Sequence, residues 1–242
     1  MSKLAGKTIL VTGAAVRIGR ALSIAVAKEG ANLVLQYNSS KADAETLQEE
    51  ITALGQRVSI YQVDFSSPEE TLRFSKRVFS EHTVDGLVNN ASIFSDLAWY
   101  NTDIEDWNDH LAINLTAPYI LSREFALSLN KGRMGRIVNL LDWRALRPGP
   151  DHLPYTISKS GLAALTKSLA ISLAPAITVN GIALGAILPP SDGGEIEDLV
   201  SDLPLPRWAD LEEVADTLLF LLDGPSYITG EIIHLDGGRH LI

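Results

Sequence analysis

The sequence predicts an α/β chain: one doubly wound parallel sheet of about seven strands, with helices on both faces. Three observations carry that expectation. Short β-branched runs alternate with longer segments of helical period along the whole chain, the pattern of right-handed βαβ units. The strand-like runs are continuously apolar rather than alternating, as strands covered on both faces must be. No linker or break in composition divides residues 1–242, and a chain of that size buries roughly 70–75% of its unfolded surface in one core.

The elements follow in order. KTILVT (7–12) reads as the first strand and ends in Thr12-Gly13, after which a helix is expected over Arg17–Glu29. ANLVLQY (31–37) is the second strand, followed by a helix at Ala42–Leu54, and RVSIYQV (57–63) is the third. Pro68 follows Ser67 and precedes two glutamates, an N-cap and first-turn signature that starts a helix over Pro68–His82. DGLVNN (85–90) leads to one long helix, Ile104–Asn130, then RIVNLL (136–141) and a helix at Tyr155–Leu173. AITVNGI (176–182), a helix at Leu211–Leu222 and EIIHLD (231–236) complete the series. Residues 185–210, rich in proline, glycine and acid, are too long for a plain connection and are expected to form a lid over a substrate.

Composition narrows the function. A net charge of −10 argues against a nucleic-acid partner or an anionic membrane surface. The absence of cysteine excludes disulfides, thiolate catalysis and cysteine-ligated metal, and the five histidines are scattered without ligand spacing, so no metal site is expected. No apolar run approaches the ~20 residues that span a bilayer. The TILV run after Lys3 and Lys7 ends at once in Thr12-Gly13 without a cleavage site, so it reads as a strand and not a leader. These features suit a cytoplasmic enzyme.

The turn TGAAVRIG (12–19) lies between the first strand and the first helix, where a doubly wound sheet of the Rossmann type holds phosphate on helix N–H groups. Gly13 permits the tight turn and Gly19 close helix–strand packing; Ile18 lies between them on the cofactor side. Arg17 stands where a third glycine is usual, and a cation is disfavoured at a helix N-terminus, so an anion-facing role is expected. The second strand ends in QYNSSK with no acid from Ala31 to Ala42. Asn38, Ser39, Ser40 and Lys41 offer donors instead, which suits a 2′-phosphate, so NADPH is the expected cofactor. Asp64 and Phe65, after the third strand, are placed to meet the adenine.

Tyr155 and Lys159 are one helical turn apart and share a face, with Asp142 thirteen residues upstream after a buried strand. TGxxxxIG, NNA at 89–91, Asn114, YxxxK at 155–159 and ITG…LDGG at 228–238 together resemble the short-chain dehydrogenase/reductase family, over essentially the whole chain. Arg17 in the glycine turn, Asn-Ala-Ser-x-Phe at 90–94 and the aspartate thirteen before the tyrosine resemble its pteridine reductases. The resemblance implies Tyr155 as proton donor, its pKa lowered by the Lys159 cation, with Lys159 also bonding the nicotinamide ribose. It implies Asn114 holding a water toward that lysine, and Asn90, Ala91, Gly185 and Ile187 along the cofactor. It further implies Phe94 stacking on a flat heterocycle, Ser92 and Arg17 bonding its polar edge, and a homotetramer joined through helices Ile104–Asn130 and Tyr155–Leu173. The usual proline-glycine after the sixth strand is Leu184-Gly185 here, and Trp143, Arg144 and Arg147 either shape the pocket or border it.

Most family members carry serine where this chain has Asp142. An ionised carboxylate would repel the oxygen of a ketone gathering charge, whereas it accepts from the N–H edge of a dihydropterin or, with its pKa raised by burial, supplies a proton. The expected reaction is therefore NADPH-dependent reduction of a dihydropterin or dihydrofolate-type C=N bond. The alternatives are a carbonyl reductase acting on 3-oxoacyl thioesters and a non-catalytic dinucleotide sensor.

Overall fold

The computed structural model describes residues 2–188 and 200–242. Its strands are β1 (Thr8–Val11), β2 (Asn32–Tyr37), β3 (Val58–Gln62), β4 (Gly86–Asn89), β5 (Gly135–Asp142), β6 (Ile177–Leu184) and β7 (Ile232–Leu235). They form one parallel sheet in the order β3-β2-β1-β4-β5-β6-β7. The chain builds outward from β1 on one side and then returns to place β4 on the other. That reversal opens a crevice above the carboxyl ends of β1 and β4, the place where such sheets bind ligands.

Helices cover both faces of the sheet. Leu22 and Val26 of α1 (Arg17–Lys28), Leu47 and Ile51 of α2 (Lys41–Ala53) and Val214 and Leu218 of α7 (Leu211–Asp223) share one apolar core. Phe74 and Val78 of α3 (Pro68–Glu81), Leu121 and Phe125 of α5 (Ala117–Ser128) and Ala170 of α6 (Leu153–Leu173) share the other. The continuous apolar runs of the strands are thus explained, because strands β1 to β6 feed both cores. Ser67 caps α3 as expected, its hydroxyl accepting from the Glu70 N–H at 3.2 Å.

The long helix expected at Ile104–Asn130 is interrupted. It runs as α4 (Ile104–Leu111), a π turn at Ala112–Thr116 and then α5. Pro118 supplies the reason: it has no N–H, so the carbonyl four residues back, at Asn114, has no α-helical donor. The Ala117 N–H reaches back to the Ala112 carbonyl, the wider spacing of a π turn. The helix expected from Tyr155 begins two residues earlier, with Pro154 in its first turn.

Of the expected lid, residues 189–199 lie outside the described residues. The 200–210 part is pinned to the sheet: Leu203 is buried, and the Leu205 N–H donates to the Gly237 carbonyl at 3.0 Å. Among the described residues, no helix is long and apolar enough to cross a membrane.

Candidate active site

The turn after β1 is built to bring backbone close to a ligand. Gly13 has φ +59°, and a Cβ there would lie 2.8 Å from the Ala91 Cα; a Cβ on Gly19 would overlap the Gly13 carbonyl oxygen. Val16 precedes α1 with extended backbone, and its side chain makes no capping hydrogen bond. The first-turn amides of α1 therefore face the crevice without a protein acceptor from a capping side chain, a cradle that fits a phosphate. Arg17 has φ +51°, the left-handed conformation that glycine usually supplies at this point, and its side chain is exposed. Ile18 is half-buried against the core below.

Asn90 and Ala91 brace this turn from within. The Asn90 side-chain amide donates to the carbonyls of Thr12 (2.9 Å) and Gly13 (3.0 Å), and the Thr12 hydroxyl accepts from the N–H groups of Asn90 and Ala91. Gln36 completes the brace and was not singled out from sequence. Its side-chain oxygen accepts from the Gly13 N–H at 2.9 Å, and its amide donates to the Val63 carbonyl at 2.8 Å, tying the ends of β1, β2 and β3 together. The signal was available: one amide in the apolar run NLVLQY needs a polar partner when buried.

Asn38 and Ser39 are exposed and Ser40 half-exposed at the end of β2, with no acid among them. Asp64 is exposed, its carboxylate accepting from the Ser66 N–H at 2.9 Å. Three further residues expected along the cofactor are held by packing. Phe65 is a core residue, buried and 6.0 Å from the Phe74 ring, so only its backbone can meet an adenine. The Ile187 side chain is likewise buried in the apolar core. Gly185 is glycine because of packing: a Cβ there would lie 2.6 Å from the Asp236 Cα.

The end of β5 and the start of α6 bring the chemical groups together. The Tyr155 hydroxyl donates to Asp142 Oδ2 at 3.2 Å, while the Arg144 N–H donates to Asp142 Oδ1 at 2.8 Å. The Lys159 ammonium donates to the Leu140 carbonyl at 2.8 Å and lies 5.7 Å from the centre of the Tyr155 ring. Tyr155 and Lys159 are both buried. Burial pushes the Asp142 carboxyl upward against the opposing Arg144 and Lys159. Burial and then the Asp142 charge hold Tyr155 well above its ordinary value. Lys159 is brought down to about 8, again by burial, with Asp142 opposing.

Within this geometry Asp142, and not Lys159, is the hydrogen-bond partner of the Tyr155 hydroxyl. The Asn114 side chain is engaged within the fold. Its oxygen accepts from the Ile93 N–H at 2.9 Å, and its amide donates to the Ile93 carbonyl and the Ser158 hydroxyl. It clamps the segment after β4 to α6, and the carbonyl that Pro118 leaves without an α-helical donor is the better water acceptor.

Phe94 lies beside this group but not as an open platform. Its ring stacks on His152 at 4.1 Å and meets Tyr155 edge-on at 4.7 Å. His152 has φ +49° and donates from Nδ1 to the Ser95 carbonyl at 2.9 Å, so the loop before α6 is fixed to the loop carrying Phe94. One face of Phe94 is thereby taken, while 55% of the residue remains exposed. Ser92 is exposed, its hydroxyl 3.4 Å from the Ile93 carbonyl. His152 was not identified from sequence, because its partner lies 57 residues away.

A phosphate cradle above the strand ends, with a buried phenol and ammonium and a half-buried carboxyl beside it, defines an oxidoreductase that works with a nicotinamide dinucleotide. Residues 13–240 match the family model described as enoyl-(acyl carrier protein) reductase. The chain is 34% identical to 3-oxoacyl-[acyl-carrier-protein] reductase FabG of Staphylococcus epidermidis, over 97% of this chain and 99% of that one. It is 32% identical to 3-oxoacyl-[acyl-carrier-protein] reductase of Synechocystis sp., over 98% of each. Among solved structures, FolM alternative dihydrofolate reductase 1 from Brucella canis, complexed with NADP, superposes with a TM-score of 0.91 at 34% identity, over 99% of this chain and 96% of that one. A short chain dehydrogenase from Burkholderia cenocepacia in complex with NADP superposes with a TM-score of 0.91 at 32% identity, over 98% of each chain. The chain belongs to the short-chain dehydrogenase/reductase family.

Proposed function

We propose that the protein reduces a dihydropterin-type C=N bond with NADPH. The observation that carries this reading is the hydrogen bond that the Tyr155 hydroxyl donates to the Asp142 carboxylate at 3.2 Å. NADPH supplies the hydride to carbon. Tyr155, held protonated, donates its proton to the ring nitrogen, and Asp142, pushed upward by burial, returns a proton to the phenolate or holds the N–H edge of the ring. Lys159 bonds the ribose from its place against Leu140, and Arg17 and Ser92 face the polar edge. The absence of an acid after β2 supports NADPH over NADH. The Brucella FolM structure supports the dihydrofolate-type acceptor.

A second reading, reduction of a 3-oxoacyl thioester, is favoured by the names of the curated relatives. The charge of Asp142 that acts on Tyr155 stands against it, because a carboxylate repels a developing alkoxide. What then separates the readings is the nitrogen-rich edge that a carboxyl can serve in both directions, as donor and as acceptor. The test is NADPH oxidation measured side by side with dihydrofolate, dihydrobiopterin and a 3-oxoacyl thioester. Turnover of a dihydropterin, reduced by about two to four orders of magnitude in Tyr155→Phe, is expected; turnover of the thioester alone overturns the reading.

Assembly as a homotetramer is part of the same proposal. The exposed Tyr119 and Leu127 on α5 and Ile157 and Ile171 on α6 support it. Light scattering in solution tests it.

A further inference from the structure

Arg144 stands between two carboxylates. Its Nη2 donates to Asp151 Oδ2 at 2.6 Å, while its Nη1 is 3.9 Å from Asp142 Oδ1, beyond hydrogen-bonding distance. The guanidinium lies 4.7 Å from the ring centre of Trp143 and 5.9 Å from that of Phe94. Its Nε is buried without a hydrogen-bond partner among the described residues. The rings restrict the plane of the fork, and the bond to Asp151 fixes where in that plane the charge sits. This is not how an arginine beside a carboxylate ordinarily rests, since the fork tends to close on both oxygens.

We propose that Asp151 is a positioning residue for the active site: it holds the Arg144 guanidinium off Asp142, so that the cation acts on that carboxylate through space and leaves Oδ2 to the Tyr155 hydroxyl. The hold concerns the Asp142–Tyr155 pair itself, whichever acceptor the enzyme reduces.

Three arguments support it. Both oxygens of Asp142 are in use, Oδ1 accepting from the Arg144 backbone N–H at 2.8 Å and Oδ2 from Tyr155 at 3.2 Å. A shift of about 1 Å would bring the fork into bonding distance of that carboxylate, where it competes with the phenol. Second, the carboxylate needs the charge at this distance. Burial pushes the Asp142 carboxyl upward, and the Arg144 N–H and then the Arg144 charge oppose it. Third, the anchor is itself secure: its bond to Arg144 holds the Asp151 carboxyl below the usual carboxylate range, so Asp151 stays charged where Asp142 titrates. The other groups that face Asp142 are Tyr155 and Lys159 from α6 and Arg239 from the C-terminal segment; His152 Nε2 faces Asp151 at 3.7 Å.

The experiment reads the titration of Asp142 from its carboxyl carbon signal in the NADP-loaded protein labelled with [13C]aspartate, identified by its loss in Asp142→Asn. This readout needs no turnover, so it stands or falls apart from the dihydropterin reading. Arg144→Met removes the cation, and the Asp142 midpoint should rise. Asp151→Asn releases the cation toward Asp142, and the midpoint should fall. The Asp151 side chain is 43% exposed, so this second change disturbs little packing and decides the matter even where Arg144→Met folds poorly. A shift in the same direction in both variants, or none in Asp151→Asn, overturns the proposal.

The double variant Arg144→Met/Asp151→Asn separates a hold from a plain effect of one charge on another. If Asp151 acts through Arg144, adding Asp151→Asn to Arg144→Met should leave the midpoint where Arg144→Met put it. A fall that persists in that background is the direct influence of Asp151 on Asp142 and overturns the proposal. With the acceptor that the side-by-side assay identifies, Asp151→Asn should lower kcat about tenfold, since the phenol loses its acceptor, and leave KM for NADPH unchanged. Asp151→Glu keeps the anion and should retain most of the turnover; loss in both variants alike would place the effect in packing and overturn the hold.

Discussion

Asp142 acts on its two neighbours in opposite directions of consequence: its charge raises the Tyr155 phenol and supports the cation of Lys159. With Lys159 near 8, kcat/KM for NADPH, which reports the free enzyme, should fall above about pH 8 as the lysine loses its proton. Replacing Asp142 by Asn removes the charge that favours the ammonium, so burial acts unopposed and the alkaline limb should move below pH 8. A pH–rate profile of the two proteins measures this, and an unmoved limb denies the coupling. Dihydropterin turnover in the same variant should drop by about one to three orders of magnitude. Asp142, Tyr155 and Lys159 were legible in the sequence because strand end and helix turn fix their relation locally. Gln36 and His152 were not, since their roles depend on carbonyls at Val63 and Ser95 that only the folded chain brings near.

At the scale of the element, the turn between β1 and α1 is set by space and not by hydrogen bonding alone. Gly19→Ala places a methyl group on the Gly13 carbonyl oxygen, backbone against backbone, so the turn must open. NADPH affinity, followed by nucleotide fluorescence, should weaken about tenfold or more, with a loss of stability of about 1–3 kcal/mol. Gly55→Ala is the control: it has φ +86° with nothing within 4 Å, so strain should cost about 1 kcal/mol and leave NADPH affinity intact. Equal losses of affinity in both would show that the turn is sensitive to stability and not to this contact. The glycine turn could be placed from sequence because it follows the first apolar strand. The π turn could not be seen as a break in periodicity, because apolar spacing continues through it. Only the missing N–H of Pro118 marks it.

For the whole molecule, strand order and layering were readable because alternation of periods is a local property repeated along the chain. A cavity of about 480 Å³ beside Trp143 was not, since 143–149, 202–203 and 239–242 are three distant segments joined only by the fold. The buried charges at the site also bear on global stability. Lys159 titrates near 8 in the folded protein against 10.5 when exposed, so between those values the unfolded chain binds more protons and stability rises with pH. Below pH 8 the buried cation therefore costs about 3 kcal/mol, part of which its bond to the Leu140 carbonyl and the charge of Asp142 already offset. Asp142 has the opposite slope: its folded value is raised above 3.8, so its contribution is present below that value and is lost as pH rises through the folded one. Lys159→Met, which keeps length and removes charge, should be inactive yet more stable than wild type at pH 7, by about 1–3 kcal/mol in urea denaturation followed by tryptophan fluorescence. The difference should close between pH 8 and 10.5 as the wild-type lysine becomes neutral. A gap that does not change with pH would place its origin in packing, and would mean that the site does not hold its cation against the fold.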